Sequence, residues 1–277
     1  MRSFMILLKK IRQRLMKLRA TPEYVEKPHF SQLSKLDDAQ WRAALTESPE
    51  TAARWVYSAA VYGDIDAQLT YAQMLLDGHG MARDSAAAYR WFEIAARSNR
   101  ADALNLLGRC HELGWGAAVD ISIAAQKYRS AAEQSYDWAQ FNLACLLLDG
   151  QGIARDPDEA LALLSAAAAQ GHVKSLNMIG LCHENGWGCP PDAKAASHWF
   201  HRAAEAGDFR GQYSLGRHLA SRGLIEESLP WLRLAIENAP SKLCSEITGE
   251  LRSSGITRLH ELADCAEQRS RSGAGPV

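Results

Sequence analysis

Long apolar runs are missing from this chain of 277 residues. In its first twenty residues the longest run is Phe4 to Leu8. A signal peptide needs an apolar core of about 7–15 residues, and a membrane span about 20. A basic excess is missing as well, since the formal net charge is −1. That balance is uneven. Residues 1–20 hold seven Lys/Arg and no acid, and the remainder holds 24 basic and 32 acidic residues, a net of −8. The acidic remainder argues against a nucleic-acid-binding surface, which needs a basic groove. No nucleophile sits in an elbow motif, and no glycine loop follows a strand pattern as phosphate and dinucleotide sites require.

What the chain has instead is a period. The glycine pairs Gly78/Gly80, Gly114/Gly116, Gly150/Gly152 and Gly186/Gly188 recur every 36 residues. The same step relates Asp84, Asp120, Asp156 and Asp192, and the pairs Ala95-Ala96, Ala131-Ala132, Ala167-Ala168 and Ala203-Ala204. A small residue keeps the register at Ala67, Ala103, Ala139, Ser175 and Gly211. A fixed period in this range means one supersecondary unit repeated. Alternate units are more alike, as LLDGHGMARD with LLDGQGIARD and CHELGWG with CHENGWG show. A duplicated pair of units is the reading of that longer period.

Each unit reads as helix, loop, helix. Apolar and small residues return at helical spacing, as in Ala67, Tyr71, Ala72, Met74 and Leu75. Glycine takes a left-handed C-cap without steric cost and ends the first helix. The aspartate that follows stands where an N-cap belongs, so the four aspartates read as caps and not as catalytic acids. Ala72, Gly108, Ala144, Gly180 and Gly216 are small enough for the paired helices to approach closely. The expected fold is an all-α, right-handed α-solenoid of 36-residue helix-loop-helix repeats. Its expected parts are a basic amphipathic segment at 1–22, capping helices at 31–62, repeats at 63–98, 99–134, 135–170 and 171–206, a truncated repeat at 207–238, capping helices at 241–268 and a disordered tail at 269–277.

The pattern small-x-x-x-Leu-Gly-x-x-Tyr/His-x-x-Gly-x-Gly, then Asp, then Trp/Tyr before Ala-Ala, resembles the Sel1-like repeat, a branch of the tetratricopeptide superfamily. Ala103, Leu107, Gly108, His111, Gly114, Gly116, Asp120, Tyr128 and Ala131-Ala132 carry it in one unit, and the resemblance spans about residues 50 to 238. It implies an adaptor that holds other proteins. It also implies that the first helix of each unit lines the concave side, at four rows of positions. The first row is Asp66, Asp102, Trp138, Lys174 and Arg210. The second is Leu69, Asn105, Phe141, Asn177 and Tyr213. Gln73, Arg109, Cys145, Leu181 and Arg217 form the third, and Leu76, Glu112, Leu148, Glu184 and Ala220 the fourth. Aromatic and arginine side chains are the usual hot spots of such surfaces, which brings forward Trp138, Phe141 and Tyr213, with Arg109 and Arg217 for acidic groups of the partner.

Some secreted relatives carry a cysteine pair in each repeat. Of the six cysteines here only Cys110 and Cys182 are equivalent, so they read as small packing residues in a reducing compartment. Cys110-His111-Glu112 and Cys182-His183-Glu184 contain metal-ligand types, but neighbours on a helix point about 100° apart and do not converge. His198 and His201 share a helical face without a third ligand. No metal and no cofactor is therefore expected.

The leading expectation is a non-catalytic scaffold in the cytoplasm, binding a protein or peptide and no nucleic acid. Two alternatives stay open: an enzyme or enzyme-associated regulatory subunit of the same fold, and a membrane-surface adaptor. For the latter, residues 1–20 place Phe4, Leu7, Leu8, Ile11, Leu15 and Leu18 on one face of a basic helix that suits peripheral membrane contact or partner docking.

Overall fold

A computed structural model of the chain describes residues 48–272. The segment expected at 1–22, the part of the 31–62 cap before residue 48 and the last five residues of the tail lie outside the described residues. The chain divides into two compact units, residues 1–134 and 135–277. Unit 1 contains α1 (Pro49–Val61), α2 (Ile65–Asp77), α3 (Ser85–Ala96), α4 (Ala101–Leu113) and α5 (Ile121–Ala132). Unit 2 contains α6 (Asp137–Asp149), α7 (Pro157–Ala169), α8 (Val173–Asn185), α9 (Ala193–Glu205), α10 (Phe209–Ser221), α11 (Ile225–Asn238), α12 (Ser241–Ser253) and α13 (Thr257–Ser272). Both units are all-α in their described residues; in unit 1 every helix packs on the next in the chain, in unit 2 the same holds from α6 to α11, and α13 packs on both α11 and α12.

The caps explain why each hairpin turns where it does. Gly114 takes φ 71° and ends α4, its N–H donating to the Cys110 carbonyl. Two residues on, Gly116 takes φ 72°, and a Cβ there would lie 2.0 Å from the Ser85 carbonyl oxygen. The first glycine of the pair thus closes a helix, while the second also lets the loop touch the start of the preceding α3. The aspartate then opens the second helix. Asp84, Asp120 and Asp156 accept from the amides of Ala87, Ile123 and Glu159 at 2.8–2.9 Å. Asp192 accepts from both Lys194 and Ala195. Each such cap contributes roughly 1 kcal/mol.

The hairpins close on small residues. A Cβ on Gly180 of α8 would stand 2.5 Å from the ring of Phe200 on α9, and Phe200 is fully buried. Tyr128 against Gly108 and Leu232 against Gly216 repeat the arrangement. Burying one such large side chain contributes about 1.5–3 kcal/mol. In α1, Val56, Ala59 and Ala60 are buried with Ala67 and Met74 of α2, so this helix supplies the second half of a hairpin.

The C-terminal end differs from expectation in one place. Residues 269–272 continue α13 and are not a disordered tail. No glycine or proline interrupts the chain between Thr257 and Ser272. Arg252 of α12 also ties α13 down through Asp264 and Glu267.

Candidate functional site

The first helices of the repeats, α2 and α4 in unit 1 and α6, α8 and α10 in unit 2, carry the expected partner-binding positions. In unit 1 these positions are largely satisfied internally. The Arg100 guanidinium lies 2.7 Å from Asp66 and 2.6 Å from Asp102. The bond to Asp102, and then the one to Asp66, raise the pKa of Arg100 still further. Asn105 is buried, as is Leu76, and Leu69 is half-buried. Burial removes Asn105 from any open surface. The Arg109 guanidinium lies 4.6 Å over the Trp115 ring. Glu112 accepts the hydroxyl of Tyr128, whose phenol is pushed up first by burial and then by that bond. Gln73 is exposed and donates to Asp77 at 3.0 Å.

Unit 2 arranges the same register differently. Trp138, in the first turn of α6, is 41% exposed. Its ring stands edge-on to His172 at 4.7 Å, and Lys174 Nζ lies 4.8 Å over it. Phe141, half-buried, approaches the same imidazole at 4.8 Å. Trp138, Phe141 and Lys174 are therefore gathered around His172. Arg210, one repeat on, is exposed with its guanidinium 4.9 Å over the Phe209 ring.

The other expected positions in unit 2 do not join that cluster. Asn177 is buried, with an Oδ1 that has no hydrogen-bond partner. Leu181 packs against the core around Phe200 and Leu215. Tyr213 is half-buried in the C-terminal core with Ala220, and its hydroxyl donates to Glu250. Burial and that bond push the Tyr213 phenol up. Glu184 and Arg217 pair with each other, and His218 Nδ1 lies 3.2 Å from the same carboxylate. Cys145 and Leu148 are half-buried.

His172 was not among the expected residues. It occupies the position that Asp64 and Asp208 hold in α2 and α10, where each aspartate caps the helix. Reading that row at the 36-residue step would have found it. The imidazole is 5% exposed, and its Nδ1 lies 2.9 Å from Ser175 Oγ. Burial is the main cause that holds it below the ordinary histidine value, so it is neutral at pH 7. Its Nε2 is buried and has no partner.

A second place holds chemistry-bearing side chains. The loop between α8 and α9 forms an open depression of about 550 Å³ lined by His183, Cys189, Pro190, Pro191, Asp192, Ala193 and Lys194. Cys189 Sγ lies 3.4 Å from His183 Nδ1. Burial and then the Asp192 charge push the Cys189 thiol up, which keeps it protonated. Asp192 is engaged by the α9 amides and does not orient the imidazole. Cys110 and Cys182 are fully buried, and burial pushes both thiols up to about 12. Among the described residues no group of three or more His, Cys, Asp or Glu side chains is placed to hold a metal ion. No helix among them is long and apolar enough to cross a membrane.

Comparison with known proteins gives the repeats their family. The Sel1 repeat model matches residues 65–99, 101–136, 139–172 and 173–208. An uncharacterized protein of Neisseria meningitidis serogroup B is 28% identical over 199 residues, 72% of this chain and 40% of that protein. Chitin synthase regulatory factor 3 of Schizosaccharomyces pombe is 28% identical over 173 residues, 61% of this chain and 17% of its own. The chain thus spans less than half the length of these relatives. Among solved structures, a Sel1 repeat protein from Oxalobacter formigenes superposes with a TM-score of 0.62 at 24% identity, over 81% of this chain and all of the other. A protective antigen of uropathogenic Escherichia coli with the SLR fold gives 0.64 at 22% identity, over 98% of this chain and 62% of that one. These two likenesses establish the shared fold. With four matched repeats laid over the helix hairpins of both units, the chain belongs to the Sel1 repeat family.

Proposed function

We propose that the protein is a non-catalytic interaction scaffold that holds a partner protein or peptide on the first-helix face of unit 2. The observation that carries this reading is Trp138. A tryptophan 41% exposed on the first turn of a helix, held by His172 and Lys174, is a rigid apolar anchor with an open side. Tryptophan is the residue type most enriched at binding hot spots. Phe141 extends the anchor along α6, three residues on and on the same face.

The α8–α9 loop, where a thiol meets an imidazole, fits the non-catalytic half of the reading. In the Cys189–His183 pair burial holds the thiol protonated, and the neighbouring carboxylate is spent on capping α9. A regulatory role also fits the name of the Schizosaccharomyces pombe relative, a chitin synthase regulatory factor.

Cross-linking from position 138 identifies the partner, and titration with the purified partner then measures affinity. Trp138→Ala is expected to weaken binding by about 2 kcal/mol while the melting temperature holds. Ala144→Leu, which overpacks the buried α6 position, is expected to lower the melting temperature. An unchanged affinity in Trp138→Ala, with stability lost as in the packing variant, would place Trp138 in the core and reject this face.

A further inference from the structure

We propose that the first turns of α6, α8 and α10 form a cationic, aromatic ridge that takes an acidic segment of a partner protein, its carboxylates reaching Lys174 and Arg210 beside Trp138. This rests on the scaffold reading above and adds the chemistry of the partner.

Three side chains in one register make the ridge. Trp138, Lys174 and Arg210 stand 36 residues apart on successive first helices of one unit, and all three are exposed. Each cation lies over an aromatic ring, with the Asp208 charge within electrostatic reach of both. Lys174 lies over Trp138 at 4.8 Å and Arg210 over Phe209 at 4.9 Å, and neither makes an ion pair among the described residues. A ring holds a cation in place without neutralising it, so the charge stays available to an anion.

The nearby acids accept backbone amides and form no ion pair with either cation. Asp208 is 9% exposed and accepts from the Gly211 amide at 3.0 Å. Asp137 accepts from the Trp138 amide at 2.8 Å.

The opening of α8 adds to the field. It has no acidic residue in its first turn and no side-chain cap, and so presents the positive end of its dipole beside Lys174. The capping position there is His172, neutral and buried, with an unpartnered Nε2. Unit 1 gives the contrast. Its residues in this register are Asp66 and Asp102, both engaged by Arg100. The ridge is therefore particular to unit 2 and not a consequence of the repeat.

The test uses the full chain and a labelled peptide of alternating glutamate and phenylalanine, with its glutamine counterpart as control. The glutamate peptide is expected to bind, the glutamine peptide on the order of tenfold more weakly, and added salt to weaken the first more than the second. Lys174→Glu combined with Arg210→Glu should abolish the preference, and Lys174→Gln with Arg210→Gln should reduce it with circular dichroism unchanged. Equal binding of the two peptides, or a preference that survives charge reversal, overturns the proposal. Phosphatidylserine vesicles that bind through these two residues while the glutamate peptide does not would assign the ridge to a membrane and overturn it too. If the partner's Trp138-dependent affinity persists while the glutamate peptide fails, the acidic-segment proposal falls and the scaffold reading stands.

Discussion

In unit 1 the first turns of α2 and α4 carry Asp66 and Asp102, and one arginine holds both; in unit 2 the same register carries Trp138, Lys174 and Arg210, and each of the two cations lies over a ring with no ion pair among the described residues. The skeleton beneath is shared. Gly78 and Gly114 in unit 1, and Gly150 and Gly186 in unit 2, all take φ between 71° and 73°. An aspartate opens α3 and α5 in unit 1 and α7 and α9 in unit 2. The difference teaches where selection by packing ends. Positions that close a hairpin are fixed by steric and hydrogen-bond demands, whereas first-turn positions on the open face can change charge and size without disturbing the fold. Function is therefore to be sought where the repeats disagree.

The largest expected effect tests the shared part. Gly116→Ala in unit 1 and Gly188→Ala in unit 2 each place a Cβ within 2.3 Å of a backbone carbonyl oxygen while holding a positive φ. The left-handed backbone alone costs about 1–2 kcal/mol, and overpacking adds roughly 1–3 more. Both variants are expected to lower the denaturation midpoint severely and alike. A mild effect in one unit only would break the claim of a common skeleton. Gly150→Val, whose Cβ would lie nearest to Arg155 at 2.8–3.5 Å and not to a carbonyl oxygen at about 2 Å, is expected to cost less, about 1–2 kcal/mol for the backbone.

Smaller effects sharpen the comparison. At the turn that ends the second helix, the register runs Gly63, Asn99, Ser135, Gly171 and Gly207, and every one has positive φ. Ser135, at 60°, is the residue that fits least well, since Asn tolerates this region and Gly has no preference against it. Ser135→Gly is expected to stabilise unit 2 by roughly 0.5–1 kcal/mol, read as a shift in thermal midpoint. Loss of stability would mean the serine side chain is needed at that turn. Arg100→Ala removes the clamp of unit 1. Its partners are partly exposed, so the cost should stay below about 1 kcal/mol. A larger loss would make the clamp a packing element.

The smallest effect is in pH. Burial holds His172 below its ordinary value, so the unfolded chain takes up a proton before the folded one does. By linkage, unit 2 loses stability as the pH falls below about 6.5 and regains it above. His172→Gln should remove that part of the slope in urea midpoints measured across this range. An unchanged slope would mean His172 is not protonated differently on unfolding.

The period carried most of the fold. A step of 36 residues with glycine, aspartate and alanine in fixed places predicts the helix ends to within a residue or two, because caps are local chemistry that sequence states directly. Surface roles were less legible. Asn105 and Asn177 share a register with Phe141 and Tyr213, yet both asparagines are buried, and Tyr213 is bound to Glu250 from α12, a helix outside the repeat pattern. Such partners lie 37 residues away and follow from packing, which no local pattern encodes. His172 was missed for another reason. The row it belongs to reads Asp, Arg, Tyr, His, Asp, and a row without one residue type does not announce itself as a position.

Photo-cross-linking from matched positions tests the central claim most directly. A photoreactive residue is placed at position 138 in one full-length chain and at position 102 in another, both in the native cell. The account predicts a cross-linked partner from 138, competed by the glutamate peptide, and none from 102. A partner captured from 102 and not from 138 would contradict it, and would move the binding face to unit 1.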